Sequence, residues 1–334
     1  MTTIRDVAKR AGVGVGTVSR VLNQHPAVSE ATRAAVQEAI ASLNYTPNPS
    51  ARRLSSGRTL TIAIIVPFFT RPSFVERLRG VVAVLNQSEY QLVIYNVETP
   101  QQRDLYLHDL PRRSRFDGLL ILSLTPTDAE AERLQQSGVP VVLIDAFHPL
   151  LHGVGVDDVA GGALATGHLI ALGHRDIGYI SDLIDCPYRF IASRARLQGY
   201  CQALAAAQIP CDPRYQQEAT QHGVREAREA ARLLLDRPQP PTAVFAASDT
   251  QAFGVLQAAR ARGLDVPAQL SVIGYDDIEM AEFWHLTTVH QPLSESGAEG
   301  ARLLLAAMAA PFDSPRQIRQ PLTLIQRQTT APRV

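Results

Sequence analysis

Asp145, Ser248, Asp249, Asp276, Asp277 and Gln291 each stand just after a short apolar run. Phe68 and Phe69 close the first such run, Phe74 lies a few residues on, and Arg196 follows the loop 182–189. In an open parallel sheet, ligands bind outside the carboxyl ends of the strands, so these positions are where chemistry is expected. Carboxylates accept from hydroxyls, a guanidinium donates in a fork, and aromatic rings cover an apolar face. Together they suit a polar, uncharged, polyhydroxylated ligand. Each residue also has a plainer use. Asp249 and Asp277 suit helix caps, and Arg196 serves equally well in a surface ion pair. The phenylalanines taken singly belong in a core, while Trp284 and His285 are candidates for the cleft wall.

The elements that must position this set follow from the hydrophobic pattern. Strands are expected at Thr61–Val66, Gln91–Tyr95, Gly118–Leu122, Val141–Ile144, Ile177–Ser181, Thr242–Ala246, Leu270–Gly274 and Leu286–His290. Helices are expected near 73–87, 127–137, 157–172, 192–207, 223–235, 249–262 and 293–309. Strands separated by helices argue an α/β fold with a doubly wound parallel sheet. The pattern resumes after Gly153-Val-Gly-Val156, so two such lobes fit better than one large sheet.

The first residues follow another logic. Thr3 and Asp6 have capping-box spacing, Ile4, Val7 and Ala8 recur at helical intervals, and Gly12 occupies a stop position. A second helix starting at Val15 turns Val18, Val21 and Leu22 inward and leaves Val15, Gly16, Thr17, Ser19 and Arg20 outward. A third runs from the cap Ser29 to about Asn44. This is the pattern of a helix-turn-helix, whose second helix enters the DNA major groove by its N-terminal end. Residues 1–58 hold eight basic side chains against three acidic ones, although the whole chain balances 32 against 32. A basic head on an acidic body suits phosphate contact at one end only. Pro49 can start a very short helix before the exit Ser55-Ser-Gly-Arg58, although composition alone slightly favours a plain linker there.

A chain of 334 residues with 46 % hydrophobic content suggests two or three domains with sizeable cores. Domains are expected at 1–46, 47–58 and 59–334, the last with one lobe near 59–158 and 290–319 and the other near 159–288 and 320–334. The first residues lack an apolar signal region, and the run from Leu60 to Phe69 is too short to span a bilayer, so a cytoplasmic protein is expected. Cys186, Cys201 and Cys211 are odd in number and lack metal-ligand spacing, which reads as three reduced thiols. There is no Walker-type phosphate loop and no Gly-x-Ser-x-Gly elbow, and His168 and His174 lack evident co-ligands. No metal or cofactor is expected, and a binding protein fits better than an enzyme. An exported solute-binding protein and a cytoplasmic α/β enzyme are the competing readings.

Several segments resemble one family. Thr3-Ile-Arg-Asp-Val-Ala-Lys-Arg-Ala-Gly-Val13, Thr17-Val-Ser-Arg-Val-Leu-Asn23, Leu43-Asn-Tyr-Thr-Pro-Asn48 and Ala51-Arg-Arg-Leu54 look like the lactose/galactose-repressor (LacI/GalR) family of bacterial transcription regulators. The likeness continues in Phe116-Asp-Gly-Leu-Leu120, His168-Leu-Ile-Ala-Leu-Gly-His174, Arg196-Leu-Gln-Gly-Tyr200, Ser271-Val-Ile-Gly-Tyr-Asp-Asp277 and Leu286-Thr-Thr-Val289. The resemblance implies a nucleoid-associated repressor, a homodimer or tetramer, binding a pseudo-palindromic operator under control of a small effector, a sugar or sugar derivative. It implies a helix-turn-helix domain followed by a two-lobed effector domain like the periplasmic sugar-binding proteins, with crossovers near 158–161, 287–291 and 318–321. It also implies DNA contact by Thr3, Val15, Gly16, Thr17, Ser19, Arg20, Asn23, Tyr45, Ala51, Arg52 and Leu54, the last wedged into the minor groove from a hinge helix at 49–55. Effector contacts would be Asp145, Arg196, Ser248, Asp276 and Gln291, with Phe74 stacking. The chain departs from the family pattern at Gly14, where a capping serine is usual, and at Val15 and Gly16, which offer no hydrogen bonds to bases. It also departs at Trp284-His285, which alters the expected cleft mouth, and at Ser248, which replaces an amide or aromatic side chain.

Overall fold

The computed structural model describes residues 2–22, 25–45, 58–112 and 115–333. The chain forms two compact units, Met1–Thr59 and Leu60–Val334. In the first, α1 (Ile4–Ala11), α2 (Val15–Leu22) and α3 (Glu30–Ser42) pack around Val7, Ala8, Val18, Val21, Val36 and Ala39. The Thr3 amide and hydroxyl both donate to the Asp6 carboxylate, at 2.9 and 2.8 Å, and Ser29 accepts from the Thr32 amide. Gly12 closes α1 at φ +67°, where a side chain would be strained.

The second unit has two six-stranded sheets. One is ordered β2-β1-β3-β4-β5-β11, from Gln91–Val97, Thr61–Pro67, Gly118–Leu122, Val141–Ile144, His152–Gly155 and Gln317–Arg319. The other is ordered β7-β6-β8-β9-β10-β12, from Gln216–Ala219, Ile177–Asp182, Ala243–Ala246, Ser271–Asp276, Thr287–His290 and Thr323–Ile325. All pairings are parallel except β10 with β12. The strands β1, β3 and β4 are apolar and buried almost throughout, as parallel strands covered on both faces must be. The helices are α4 (Pro72–Leu85), α5 (Pro100–Asp109), α6 (Asp128–Gln136), α7 (Asp158–Ala171), α8 (Ala192–Ala206), α9 (Val224–Leu235), α10 (Asp249–Ala261), α11 (Glu279–Phe283) and α12 (Leu293–Ala309). The chain passes between the sheets three times, after β5, after β10 and after β11, close to the expected crossovers.

The strands β5, β7, β11 and β12 and the helices α5 and α11 are additions to the expected elements. β7 reads Gln-Gln-Glu-Ala and β11 only Gln-Ile-Arg; such segments are strands because a neighbour's ladder is available to them. The cysteine expectation is overturned. Cys201 and Cys211 are joined in a disulfide, and only Cys186 is free. After α8 ends, Gln208 at φ +60° reverses the chain, which brings two residues 10 apart in sequence to a Cα separation of 5.3 Å.

Candidate functional site

The outward face of the first unit is as plain as its sequence. Val15, 42 % exposed, Gly16 and Arg20 face solvent, while Thr17 and Ser19 are half-buried. The Gly14 carbonyl starts α2 by accepting from the Thr17 and Val18 amides, so this end has no side-chain cap. Thr3 is exposed, though its hydroxyl is committed to Asp6, and Tyr45 is half-buried against the three-helix core. Asn23, Ala51, Arg52, Leu54 and the expected hinge helix lie outside the described residues.

In the second unit, all six expected effector residues line one cleft between the two sheets. They sit at strand ends for a backbone reason. Ser123, Asp145 and Asp276 leave β3, β4 and β9 with φ of +55°, +61° and +114°. Left-handed backbone at non-glycine residues costs about 1–3 kcal/mol each and persists where the surroundings over-determine it. Here the turns aim three polar side chains into the cleft instead of continuing the strands.

The side chains form one polar chain across the cleft. The Ser123 hydroxyl donates to Asp145 at 2.6 Å, and Arg77 donates one amino group both to Asp145, at 2.5 Å, and to Gln291, at 3.0 Å. The Gln291 amide donates to Asp276, which lies 3.8 Å from the Arg196 guanidinium. Arg196 donates Nε to Asp158 at 2.8 Å and Nη1 to the Ala247 carbonyl, with its guanidinium 3.6 Å from the Tyr275 ring. Burial opposes the Arg196 charge, yet Asp158, Tyr275 and Asp276 together push its pKa up. Burial also raises the pKa of Asp158 and Asp276. Arg196 is therefore a buried cleft residue and not a surface partner.

A second cluster lies on the other wall. Asp182 accepts from His222 at 2.9 Å and from the Gln251 amide at 2.9 Å, while Ser248 caps α10 and donates to Gln251 at 3.2 Å. Burial raises the Asp182 pKa, but the His222 hydrogen bond and charge, with Arg71 and Arg196, hold it lower overall. Phe68 packs edge-on against Tyr188 at 5.1 Å, and Phe190 extends that aromatic group to the cleft.

Both arginines of the polar chain rest on helices that approach unusually closely. A Cβ on Gly297 of α12 would lie 1.9 Å from the Arg77 carbonyl oxygen of α4, and one on Gly162 of α7 would lie 2.2 Å from that of Arg196 on α8. Only glycine permits these approaches.

Several expectations need correction. Asp249 and Asp277 are structural but neither is a cap; Ser248 and Ile278 hold those places. Asp249 accepts from the Thr288 hydroxyl and the Ile278 amide, and Asp277 pairs with Arg327 and His290. Trp284 and His285 do not line the cleft: α11 ends there, and Trp284 packs 5.9 Å from Phe253. Phe69, 40 % exposed, is not a lining residue either. Among the residues missed, Ser123 and Asp182 were reachable, since each ends a strand. Arg77 stands one helical turn beyond Phe74. His222 follows a polar strand that no hydrophobic pattern reveals.

The chain matches known proteins along nearly its whole length. Residues 3–48 match the family of bacterial regulatory proteins, lacI family, and residues 166–330 match the periplasmic binding protein-like domain. The HTH-type transcriptional repressor CytR of Escherichia coli K12 is 37 % identical over 311 residues, 92 % of this chain and 89 % of that protein. The ribose operon repressor of the same organism is 35 % identical over 332 residues, 98 % of this chain and 99 % of that one. The solved lac repressor dimer bound to operator and the anti-inducer ONPF superposes with a TM-score of 0.86 at 28 % identity, covering 99 % of both chains. A transcriptional regulator CelR–cellobiose complex gives 0.72 at 34 % identity, covering 98 % of this chain and 100 % of that one. With helix-turn-helix unit, two-lobed α/β unit and relatives matched end to end, this chain belongs to the lacI family of bacterial regulatory proteins.

Proposed function

We propose that this protein is a repressor in the bacterial cytoplasm that binds a pseudo-palindromic operator as a homodimer or tetramer and responds to a sugar-like effector in the cleft. The observation that carries the effector half is the continuous polar chain from Ser123 through Asp145, Arg77, Gln291 and Asp276 to Arg196. It draws on both sheets and passes through a crossover at Gln291. A ligand whose hydroxyls replace links in this chain binds the two lobes differently in their two arrangements, and such differential binding is what moves a conformational equilibrium. Val15, Gly16, Thr17, Ser19 and Arg20 are the DNA-facing set on α2, with Thr3, Asn23, Tyr45, Ala51, Arg52 and Leu54 completing it by resemblance. With Val15 and Gly16 so plain, operator selectivity draws on Arg20, the hinge and DNA deformability. The lac repressor complex with operator, the ribose-bound LacI-family regulator of Enterococcus faecium and the cellobiose complex are the precedents for operator and sugar. The protein binds its effector without turning it over.

The test is selection of a DNA site from a random library by the full chain, followed by fluorescence anisotropy with a panel of sugars. A sugar should change the affinity by about 5–150-fold, the ordinary range of allosteric coupling. Asp276→Asn, which keeps the shape of the carboxyl but replaces one of its acceptor oxygens with a donor, should abolish that response and leave effector-free DNA binding intact. Retention of the response in this variant would place the effector site elsewhere, and consumption of the sugar would make the protein an enzyme.

A further inference from the structure

The carboxylates of the cleft wall are met by donors: Asp145 by Arg77 and Ser123, Asp276 by Gln291, Asp182 by His222 and Gln251. The cations are not so balanced. Arg77 and Arg196 are engaged, whereas Arg71 lines the same cleft and its side chain makes no hydrogen bond or ion pair with the described residues. Its guanidinium sits among rings, 4.2 Å from the Phe68 centroid, 5.8 Å from Phe190 and 6.0 Å from Phe74. Aromatic faces hold a guanidinium by its plane and leave its N–H fork for another partner. Burial lowers the Arg71 pKa, and the nearby Asp182 carboxylate offsets that only in part, the sign of a charge taken from water without full compensation.

Two neighbouring features point the same way. Arg71 immediately precedes α4, a 14-residue helix that no side chain caps and whose N-terminal Ser73 lines the cleft. The positive end of a helix dipole favours an anion. Pro72 has no amide hydrogen and the Phe74 and Val75 amides donate to the Arg71 carbonyl, so the Ser73 amide is the first-turn donor left to receive it. One turn on, Arg77 is only 2 % exposed, lines the same cleft, and keeps its Nε without a hydrogen-bond partner.

We infer that the effector is an anionic polyol, a carboxylate or phosphate on a polyhydroxylated body, and that Arg71, Ser73 and the start of α4 receive its charged group. This rests on the effector reading above and revises one expectation, since the ligand is polyhydroxylated but not uncharged. The opposite wall, with Asp276, Asp182 and Gln251, then takes the hydroxyls.

Calorimetric titration of the full chain with matched probes tests it: glucose against gluconate and glucose 6-phosphate, and ribose against ribose 5-phosphate, with inorganic phosphate as control. At least one anionic probe should bind about tenfold or more tighter than its neutral parent, the worth of one charge-assisted hydrogen bond. The acid and phosphate arms distinguish the two sources of charge. Arg71→Met should lower the affinity for that anion by about tenfold or more, and Arg71→Lys should restore part of it. Neutral parents binding as tightly as their anions, or a preference that survives Arg71→Met, would overturn the inference. In that event the effector reading stands if Asp276→Asn still abolishes binding of the neutral sugar. If no probe of either kind binds, both fall.

Discussion

The same substitution at two sites on α7 should have opposite effects. At Gly162 an added Cβ meets the Arg196 carbonyl oxygen at 2.2 Å and its Cα at 2.9 Å, whereas at Gly167 nothing lies within 4 Å. Ordinary contact needs about 3.4 Å, so Gly162→Ala must move α8 away from α7 by about 1 Å. Overpacking of this kind costs about 1–3 kcal/mol. Both variants gain about 1 kcal/mol from replacing a helical glycine, so their difference isolates the packing term. Gly167→Ala should therefore melt above the parent chain, and Gly162→Ala should melt roughly 2–12 °C below Gly167→Ala. The displacement also pulls Arg196 from the Ala247 carbonyl and from Asp158. Loss of one charge-assisted hydrogen bond should weaken the tightest sugar of the binding panel by about tenfold. Calorimetric melting and titration of the two variants read both quantities. If Gly162→Ala melts with Gly167→Ala and binds as tightly as the parent, the close approach does not seat Arg196 and the reasoning fails.

Two further outcomes follow from named contacts. His174, bonded to Thr242, Ser271 and the Ala331 carbonyl, and His168, bonded to Thr330, tie the C-terminal segment to the second lobe. Burial lowers both pKa values, so the unfolded chain takes up these protons more readily; stability is full above about pH 6.5 and falls as the pH drops below it. Melting curves from pH 8 to 5 should show that loss, reduced in His174→Gln, and a flat profile would contradict it. Arg20→Ala should weaken operator binding and lower the slope of log affinity against log salt by about 1; an unchanged slope would mean that Arg20 touches no phosphate.

Legibility follows the physics of each segment. Buried parallel strands such as Gly118–Leu122 and Val141–Ile144 are legible to the residue, because continuous apolar runs bounded by turns have few other uses. The strand-end rule then reaches Asp145, Ser248, Asp276 and Gln291 from the apolar pattern alone. It fails where the deciding force is not local. β7 and β11 are strands because a ladder waits for them, so His222, in the turn after β7, carries no signal. The Cys201–Cys211 bond depends on a reversal at Gln208 that spacing does not encode. Asp249 departs from its expected role because Ser248 before it is the better cap, which frees Asp249 to satisfy the Ile278 amide and Thr288.

The two glycine seats also explain how few contacts could operate a switch. Gly297 and Gly162 lie on α12 and α7, the helices that the chain enters directly after crossing between the sheets. Each bears on the backbone of one cleft arginine, Arg77 or Arg196. The side chains at the start of those same passages, Gln291 before α12 and Asp158 at the head of α7, bond the same two guanidinium groups. Each arginine is thus held by backbone and by side chain to a segment that any rotation of one lobe against the other would twist. Close-packed helices transmit such a shift and do not absorb it. A rotation that lengthened either bond by an ångström would forfeit a charge-assisted hydrogen bond of about 1.5–3 kcal/mol. That is already the size of an ordinary allosteric coupling, about 1–3 kcal/mol. A ligand that favours one setting of these two arginines therefore needs no further lever to bias the arrangement of the lobes.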